Sequence, residues 1–237
     1  MKVLILGHTG MLGNAVYSYL MGEVDTLLTI DGRWPDDEFL TKIVSADVDY
    51  VINCIGAIPQ RTKDFEINYE LPIWLDKNLE CRVIHPGTDC EMDNDHYGIS
   101  KVNASDYIKN DGKRTKIIKT SIIGHELNSS NSLLDWFLKS EGSVFGYTEA
   151  MWNGNTTLEW AKTCLNLMNN WNDYEVENII KSYCISKYEL LLEIAEVYEK
   201  DIEVKKNNSV VMDKCLVGGK QKNPIGIQLR ELKDFYE

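Results

Sequence analysis

The stretch Lys2-Val3-Leu4-Ile5-Leu6-Gly7-His8-Thr9-Gly10-Met11-Leu12-Gly13 decides the fold. Val3 to Leu6 is an uninterrupted apolar run, the mark of a strand buried on both faces. Three glycines in GxxGxxG spacing follow it, and Leu12 to Leu20 then reads as a helix. A strand running through a glycine turn into a helix leaves backbone N–H groups free at the helix N-terminus. A dinucleotide pyrophosphate can rest there. Gly7 makes the tight turn, Gly10 lets the backbone approach the phosphates, and Gly13 lets helix pack closely on strand. Thr9, Met11 and Leu12 complete the expected cradle.

Further along, Tyr97-Gly98-Ile99-Ser100-Lys101 sets a phenol and an ammonium one helical turn apart on one face. Together the two motifs suggest a redox enzyme, with a nicotinamide site and a proton donor beside it. Asp31 ends the second apolar run and can accept hydrogen bonds from the adenosine ribose, which favours NAD. Arg33 can meet a 2′-phosphate instead, which favours NADP, so the choice between the two cofactors stays open. Asn53-Cys54-Ile55-Gly56-Ala57 ends another buried run. Its small residues leave room for the adenine–ribose half of a cofactor, although a buried strand end has the same composition.

The chain has 237 residues and a net charge of −12, from 25 basic and 37 acidic side chains. That balance argues against nucleic acid as a partner, because phosphate backbones need a basic face. No apolar run approaches the ~20 residues of a membrane helix, so no membrane partner is expected. Met1-Lys2 leads straight into the strand with the glycine motif, which argues against a signal peptide and for a cytoplasmic protein. The six cysteines include no CxxC pair and no Cys/His cluster at metal spacing. Reduced thiols and no metal are expected. None of the four histidines is placed as a ligand; each is expected to be exposed or capped.

In the first half, apolar runs at Thr26–Ile30, Tyr50–Ile55, Arg82–His85 and Lys116–Ile123 alternate with helical stretches. That alternation predicts βαβ units and an α/β, Rossmann-type doubly wound parallel sheet. The second half is less regular. Thr156 caps a predicted helix, Ile179–Ile185 reads as a strand, and Ser186-Lys187-Tyr188-Glu189 is a capping box. Val210–Gly226 reads as loop, and Lys205-Lys206 as a solvated turn. The expected organisation is a cofactor-binding domain over 1–125. Residues 126–237 then form a small C-terminal substrate lobe interleaved with returning sheet elements.

GxxGxxG, the Asn53 strand end, Thr88-Asp89 and Tyr97-x-x-x-Lys101 occur in the order of extended short-chain dehydrogenase/reductases. Within them the chain most resembles the dTDP-4-dehydrorhamnose reductase branch. Gly87-Thr88-Asp89 is similar to that branch's Ser-Thr-Asp, and Lys119-Thr120-Ser121 to its Arg-Thr-Ser. Trp152 to Glu159 sits where the family enters a helix near the sugar, and Ile185 to Leu190 matches its late strand-to-helix junction. The resemblance implies an NAD(P)-dependent reductase of a nucleotide-linked 4-keto-sugar in surface-polysaccharide synthesis, with a homodimer as a candidate assembly. Tyr97 would be the acid, Lys101 would lower its pKa and hold the nicotinamide ribose, and Thr88 would bond the carbonyl oxygen. Asp89 and Trp152 would meet the sugar. The chain departs from the family in the short Cys90–His96 loop. It departs from the superfamily's dehydratases in having Cys90 where they carry Glu. Two alternatives stand beside the reductase: an epimerase of the same fold, and a non-catalytic nucleotide-binding regulatory subunit.

Overall fold

The computed structural model describes all of residues 1–237. The first half runs β1 (Lys2–Leu6), α1 (Met11–Leu20), β2 (Thr26–Thr29), α2 (Asp37–Ser45), β3 (Tyr50–Asn53), α3 (Ile67–Asn78), β4 (Arg82–Gly87), α4 (His96–Asn110) and β5 (Thr115–Lys119). The second half continues with β6 (Ile122–Ile123), α5 (Leu133–Lys139), β7 (Ser143–Trp152), β8 (Asn155–Thr156), α6 (Thr157–Asn169) and β9 (Glu177–Lys181). It closes with β10 (Ile185–Ser186), α7 (Lys187–Val197), β11 (Glu203–Lys214), β12 (Lys220–Gln221) and α8 (Ile225–Tyr236).

Seven strands form one sheet in the order β12-β9-β5-β4-β3-β1-β2, and every neighbouring pair is parallel. The apolar runs explain its centre. Val3 to Leu6 and Val51 to Asn53 are fully buried, as parallel strands covered on both faces must be. On one face Leu12, Val16 and Leu20 of α1 pack with Trp160, Ala161 and Cys164 of α6. On the other, Phe39 and Ile43 of α2 pack with Leu71 and Leu75 of α3. The sheet is doubly wound, and its strand order turns back between β1 and β3. Ligands of such sheets bind outside the carboxyl ends of the strands at that point. Gly7 and Cys54 are the residues that leave β1 and β3 there.

A second core lies beneath a three-stranded sheet, β10-β7-β11. Leu134 and Phe137 of α5, Trp152 of β7, Leu190 and Ile194 of α7, and Leu229 of α8 fill it. Ile123 and, at its margin, Tyr19 also join this core, while α6, β9 and β12 return to the main layer.

The structure departs from expectation at four places. β11 occupies a stretch that includes Lys205 and Lys206 and runs into the segment expected as loop. It is an edge strand with a register shift between Asn207 and Val211. Contact on one side and a bulge erase the alternation by which a strand is recognised. β7, also unforeseen, mixes exposed Phe145 and Tyr147 with buried Gly146 and Ala150. His85 is 1 % exposed rather than capped at the surface. Finally, Cys184 and Cys215 form a disulfide with a Cα–Cα distance of 5.9 Å, where reduced thiols were expected. Trp152 pairs in register with Ile185 on one side and Lys214 on the other. The two cysteines just beyond those partners converge past Trp152, which no sequence spacing encodes.

Candidate active site

Gly7 has φ +79° and its carbonyl accepts from Gly10 N at 3.0 Å. A Cβ on Gly13 would lie 2.1 Å from Gly7 O, whereas one on Gly10 would meet only that oxygen, at 3.4 Å. Gly13 is therefore glycine for packing, and Gly10 faces open space. No side chain caps α1, so its first N–H groups point unpaired into the cleft. This is the donor set an anionic pyrophosphate needs.

Two pockets meet at Ile55 along this cleft. One, of about 260 Å³, is lined by Gly7, Thr9, Asp31 and Arg33. The other, of about 350 Å³, is lined by Gly10, Met11, Leu12, Cys54 and Gly56, and also by Thr88, Tyr97 and Lys101. Asp31 is 94 % exposed at the side chain, and Arg33 is exposed as well, so both remain available at the outer pocket.

Tyr97 lies in the first turn of α4, whose N-cap Asp95 accepts from Gly98 N at 2.7 Å. A Cβ on Gly98 would stand 2.5 Å from both Cys90 O and Asp93 O. Glycine there lets α4 press against the short 3-10 turn Asp89–Met92. The Phe65 ring meets the Tyr97 ring edge-on at 5.6 Å. Burial first, then Cys90, Asp89, Asp95 and Glu91, hold the phenol well above its ordinary pKa. The expected lowering by Lys101 is overridden: four acidic neighbours and desolvation favour the neutral phenol. Lys101 is itself only 8 % exposed. Burial pulls its ammonium below the usual lysine value against the opposing pull of Glu91 and Cys90. A Cβ on Gly56 would lie 3.8 Å from Lys101 Nζ, so the missing side chain leaves the ammonium open to the cavity.

Thr88 caps the 3-10 turn, accepting from Cys90 N at 3.2 Å, while its hydroxyl donates to Asp89 Oδ1 at 3.0 Å. Glu91 completes a capping box by accepting from Thr88 N at 3.0 Å. Its other oxygen pairs with Lys119 at 2.7 Å. The short loop is thus a braced turn. Asn53 does not reach the cavity: it is fully buried, donates to His85 Nδ1 at 3.2 Å and accepts from Ile55 N at 3.1 Å. Nor do the two residues expected at the sugar line it. Asp89 is 4 % exposed, and Trp152 is 2 % exposed in the second core. Burial pushes the thiols of Cys54 and Cys90 up, the latter to about 11, so neither is a nucleophile at neutral pH.

Sequence reasoning passed over Asn68, Ser100 and Arg61. Asn68 is 1 % exposed. It donates to Ala57 O at 3.0 Å, accepts from Ala57 N at 2.8 Å and donates to Ser100 Oγ at 3.1 Å. Ser100 in turn donates to Tyr97 O at 2.7 Å. The segment that follows β3 is thereby fixed at Ala57 to the helix that carries Tyr97 and Lys101. The available signal was an asparagine on the same helical face as buried Leu71 and Leu75, a polar group that must find partners inside. Arg61 lines the inner pocket and pairs with Glu126 at 3.1 Å.

No protein-family model matches the chain, and no curated protein matches its sequence. Solved structures do match. A dTDP-4-dehydrorhamnose reductase from Clostridium acetobutylicum aligns over 100 % of this chain and 99 % of its own, at 18 % identity and TM-score 0.74. One from Bacillus anthracis, in complex with NADP, aligns over 100 % and 99 % at 14 % identity and TM-score 0.76. A UDP-N-acetylglucosamine 4-epimerase from Bacillus cereus aligns over 98 % of each chain at 15 % identity and TM-score 0.74. The chain has their fold. At this identity the likeness is one of architecture, Rossmann-type sheet and second lobe together.

Proposed function

We propose that this protein is an NAD(P)-dependent reductase of a nucleotide-linked 4-keto-sugar. One observation carries the reading: Thr88, Tyr97 and Lys101 share a cavity that continues to the uncapped N-terminus of α1. The first turn of α1 would hold the cofactor pyrophosphate, with Asp31 and Arg33 at the adenosine end. A reduced nicotinamide held there would supply the hydride for the carbonyl carbon. Tyr97 gives its proton to the carbonyl oxygen, which turns C=O into CH–OH. A phenol held neutral by burial is ready to donate at pH 7. The Thr88 hydroxyl is the second donor to that oxygen, and stabilises charge as it develops. Lys101 holds the ribose and offers its charge to the phenolate that donation leaves.

In this reading the substrate is a nucleotide sugar from surface-polysaccharide synthesis and the chain works in the cytoplasm. The Cys184–Cys215 bond pulls against the second point, since reducing compartments disfavour disulfides. No helix is long and apolar enough to cross a membrane. The test is spectroscopic. Purified protein, NADPH or NADH and a panel of nucleotide-linked 4-keto-sugars should give net loss of the reduced-nicotinamide absorbance. Sugar interconversion with no net loss would replace the reductase by an epimerase. Cofactor binding with neither would leave a regulatory nucleotide-binding subunit.

A further inference from the structure

Arg61 stands at the rim of the inner cavity: it lines that cavity, yet its side chain is 55 % exposed. The chain around it is fixed. Asn68 anchors the segment after β3 at Ala57, and a turn follows in which Arg61 N and Thr62 N both donate to Ile58 O. From the opposite wall comes Glu126, only 7 % exposed at the side chain. Its Oε2 accepts from Asn131 N at 2.7 Å and from Ser132 N at 2.8 Å, and its own N–H is given to Asp135. Arg61 Nη2 reaches across to Glu126 Oε1 at 3.1 Å and to Ser129 Oγ at 2.9 Å.

As an ion pair with one exposed partner, this bridge adds little stability. Its effect is on orientation. Nη2 spends its two hydrogens on Glu126 and Ser129, and the Nε and Nη1 hydrogens have no protein partner. Both oxygens of Glu126 are engaged, so the carboxylate is a fixed mount for the guanidinium. The rim thus holds a preorganised cation with unspent donors, the group that suits a phosphate oxygen.

The cavity decides what that cation meets. Of the residues that line it, Arg61 and Lys101 are the two basic ones, and neither comes from the second lobe. Lys101 is 8 % exposed and, in the proposed reduction, serves the phenol and the cofactor ribose. With the 4-keto oxygen at Tyr97 and Thr88, C1 of the sugar lies across the ring and carries the diphosphate away from them. On a chain of net charge −12 that anion needs a local counter-charge.

We propose that Arg61 binds the diphosphate that joins the sugar to its nucleoside, with Glu126 as the residue that positions it. The inference rests on the reductase reading and deepens it by assigning the side chain that reads the anionic part of the substrate.

The experiment is calorimetry on the full-length protein saturated with whichever of NADP and NAD binds more tightly, with UDP, GDP and dTDP as probes. Arg61→Met should weaken the best diphosphate about tenfold to a hundredfold, the range of a charge-assisted hydrogen bond. Cofactor affinity should not change, and Arg61→Lys should keep part of the diphosphate affinity. The same loss should appear when Arg61→Met is made in the Glu126→Gln background. On a nucleotide-linked 4-keto-sugar, Arg61→Met should raise KM and leave kcat close to the parent's. Parental diphosphate affinity in Arg61→Met overturns the proposal alone. So does an equal loss of cofactor affinity, or a loss that vanishes in the Glu126→Gln background, which would trace it to a carboxylate left unpaired. A parent that binds the cofactor but none of the diphosphates overturns the reductase reading and the proposal with it.

Discussion

In the proposed reduction, Tyr97 is the residue on which the chemistry turns. Replacing it by Phe removes one oxygen and leaves the edge-on contact with Phe65 intact. Turnover should fall by the ~10²–10⁴-fold of a lost general acid, with cofactor affinity nearly constant. A Tyr97→Phe variant with most of the parental rate would remove the mechanism. Because burial and four acidic neighbours hold the phenol above its ordinary value, Tyr97 does not limit the rate at mild alkalinity. Lys101 is the one of the pair to lose its proton first, through the same burial acting with opposite sign. Its folded pKa lies below the usual 10.5. The ammonium is lost as pH rises through that lowered value, and a kcat/KM profile should descend before free lysine would titrate. The loss should be accompanied by weaker cofactor binding, since one ammonium serves both. At the outer pocket, Arg33→Ala should weaken NADP more than NAD in a calorimetric titration, and equal losses would detach Arg33 from the ribose.

At the scale of elements, the glycine turn separates two roles that a motif writes as one. Gly10→Val should leave the melting temperature close to the parent's, because the nearest atom to a new Cβ is at 3.4 Å. Its branches would enter the phosphate cleft, so NAD(P) binding should vanish. Gly13→Ala places a methyl 2.1 Å from a backbone carbonyl, and should cost about 1–3 kcal/mol or more by overpacking. A Gly10→Val variant that binds NAD(P) normally would make the turn structural only. These glycines were legible because β1 and β3 are buried on both faces, so their sequences are unbroken apolar runs ending at a turn. β7 and β11 were not: β11 is an edge strand with a bulge, and β7 carries the apolar Phe145 and Tyr147 on its exposed face, which masks its alternation. The site divides the same way. Thr88, Tyr97 and Lys101 stand in recognisable motifs, whereas Asn68 and Ser100 act through hydrogen bonds between residues 32 positions apart. Trp152 was read as a pocket wall from its place in a motif. Its burial depends on α5, α7 and α8, three helices that its local sequence does not mention.

Over the whole molecule, the two cores lie on either side of the reacting groups, and the disulfide belongs to only one of them. The proposed cofactor cleft is built on β1, β3 and α1, within the main sheet. Cys184 and Cys215 close one end of the β10-β7-β11 sheet across 31 positions of sequence. Cross-linking a loop of that length restricts the unfolded chain and stabilises the folded one by about 3–4 kcal/mol in the chain-entropy account. Cys184→Ser should therefore lower the melting temperature, and so should a dithiol reductant acting on the parent, but the reductant should do nothing further to the variant. NAD(P) affinity should survive both changes, because no strand of the cofactor cleft is touched. Turnover should be more sensitive. Lys214 lies in one of the two segments that the bond ties together, and it holds the turn of Thr88 through Asp93. Titration of free thiols in unreduced protein checks the premise: four reactive groups upon unfolding match the free cysteines Cys54, Cys81, Cys90 and Cys164. Six would mean the bond does not form, and the second lobe would then have to hold its end of the site by packing alone.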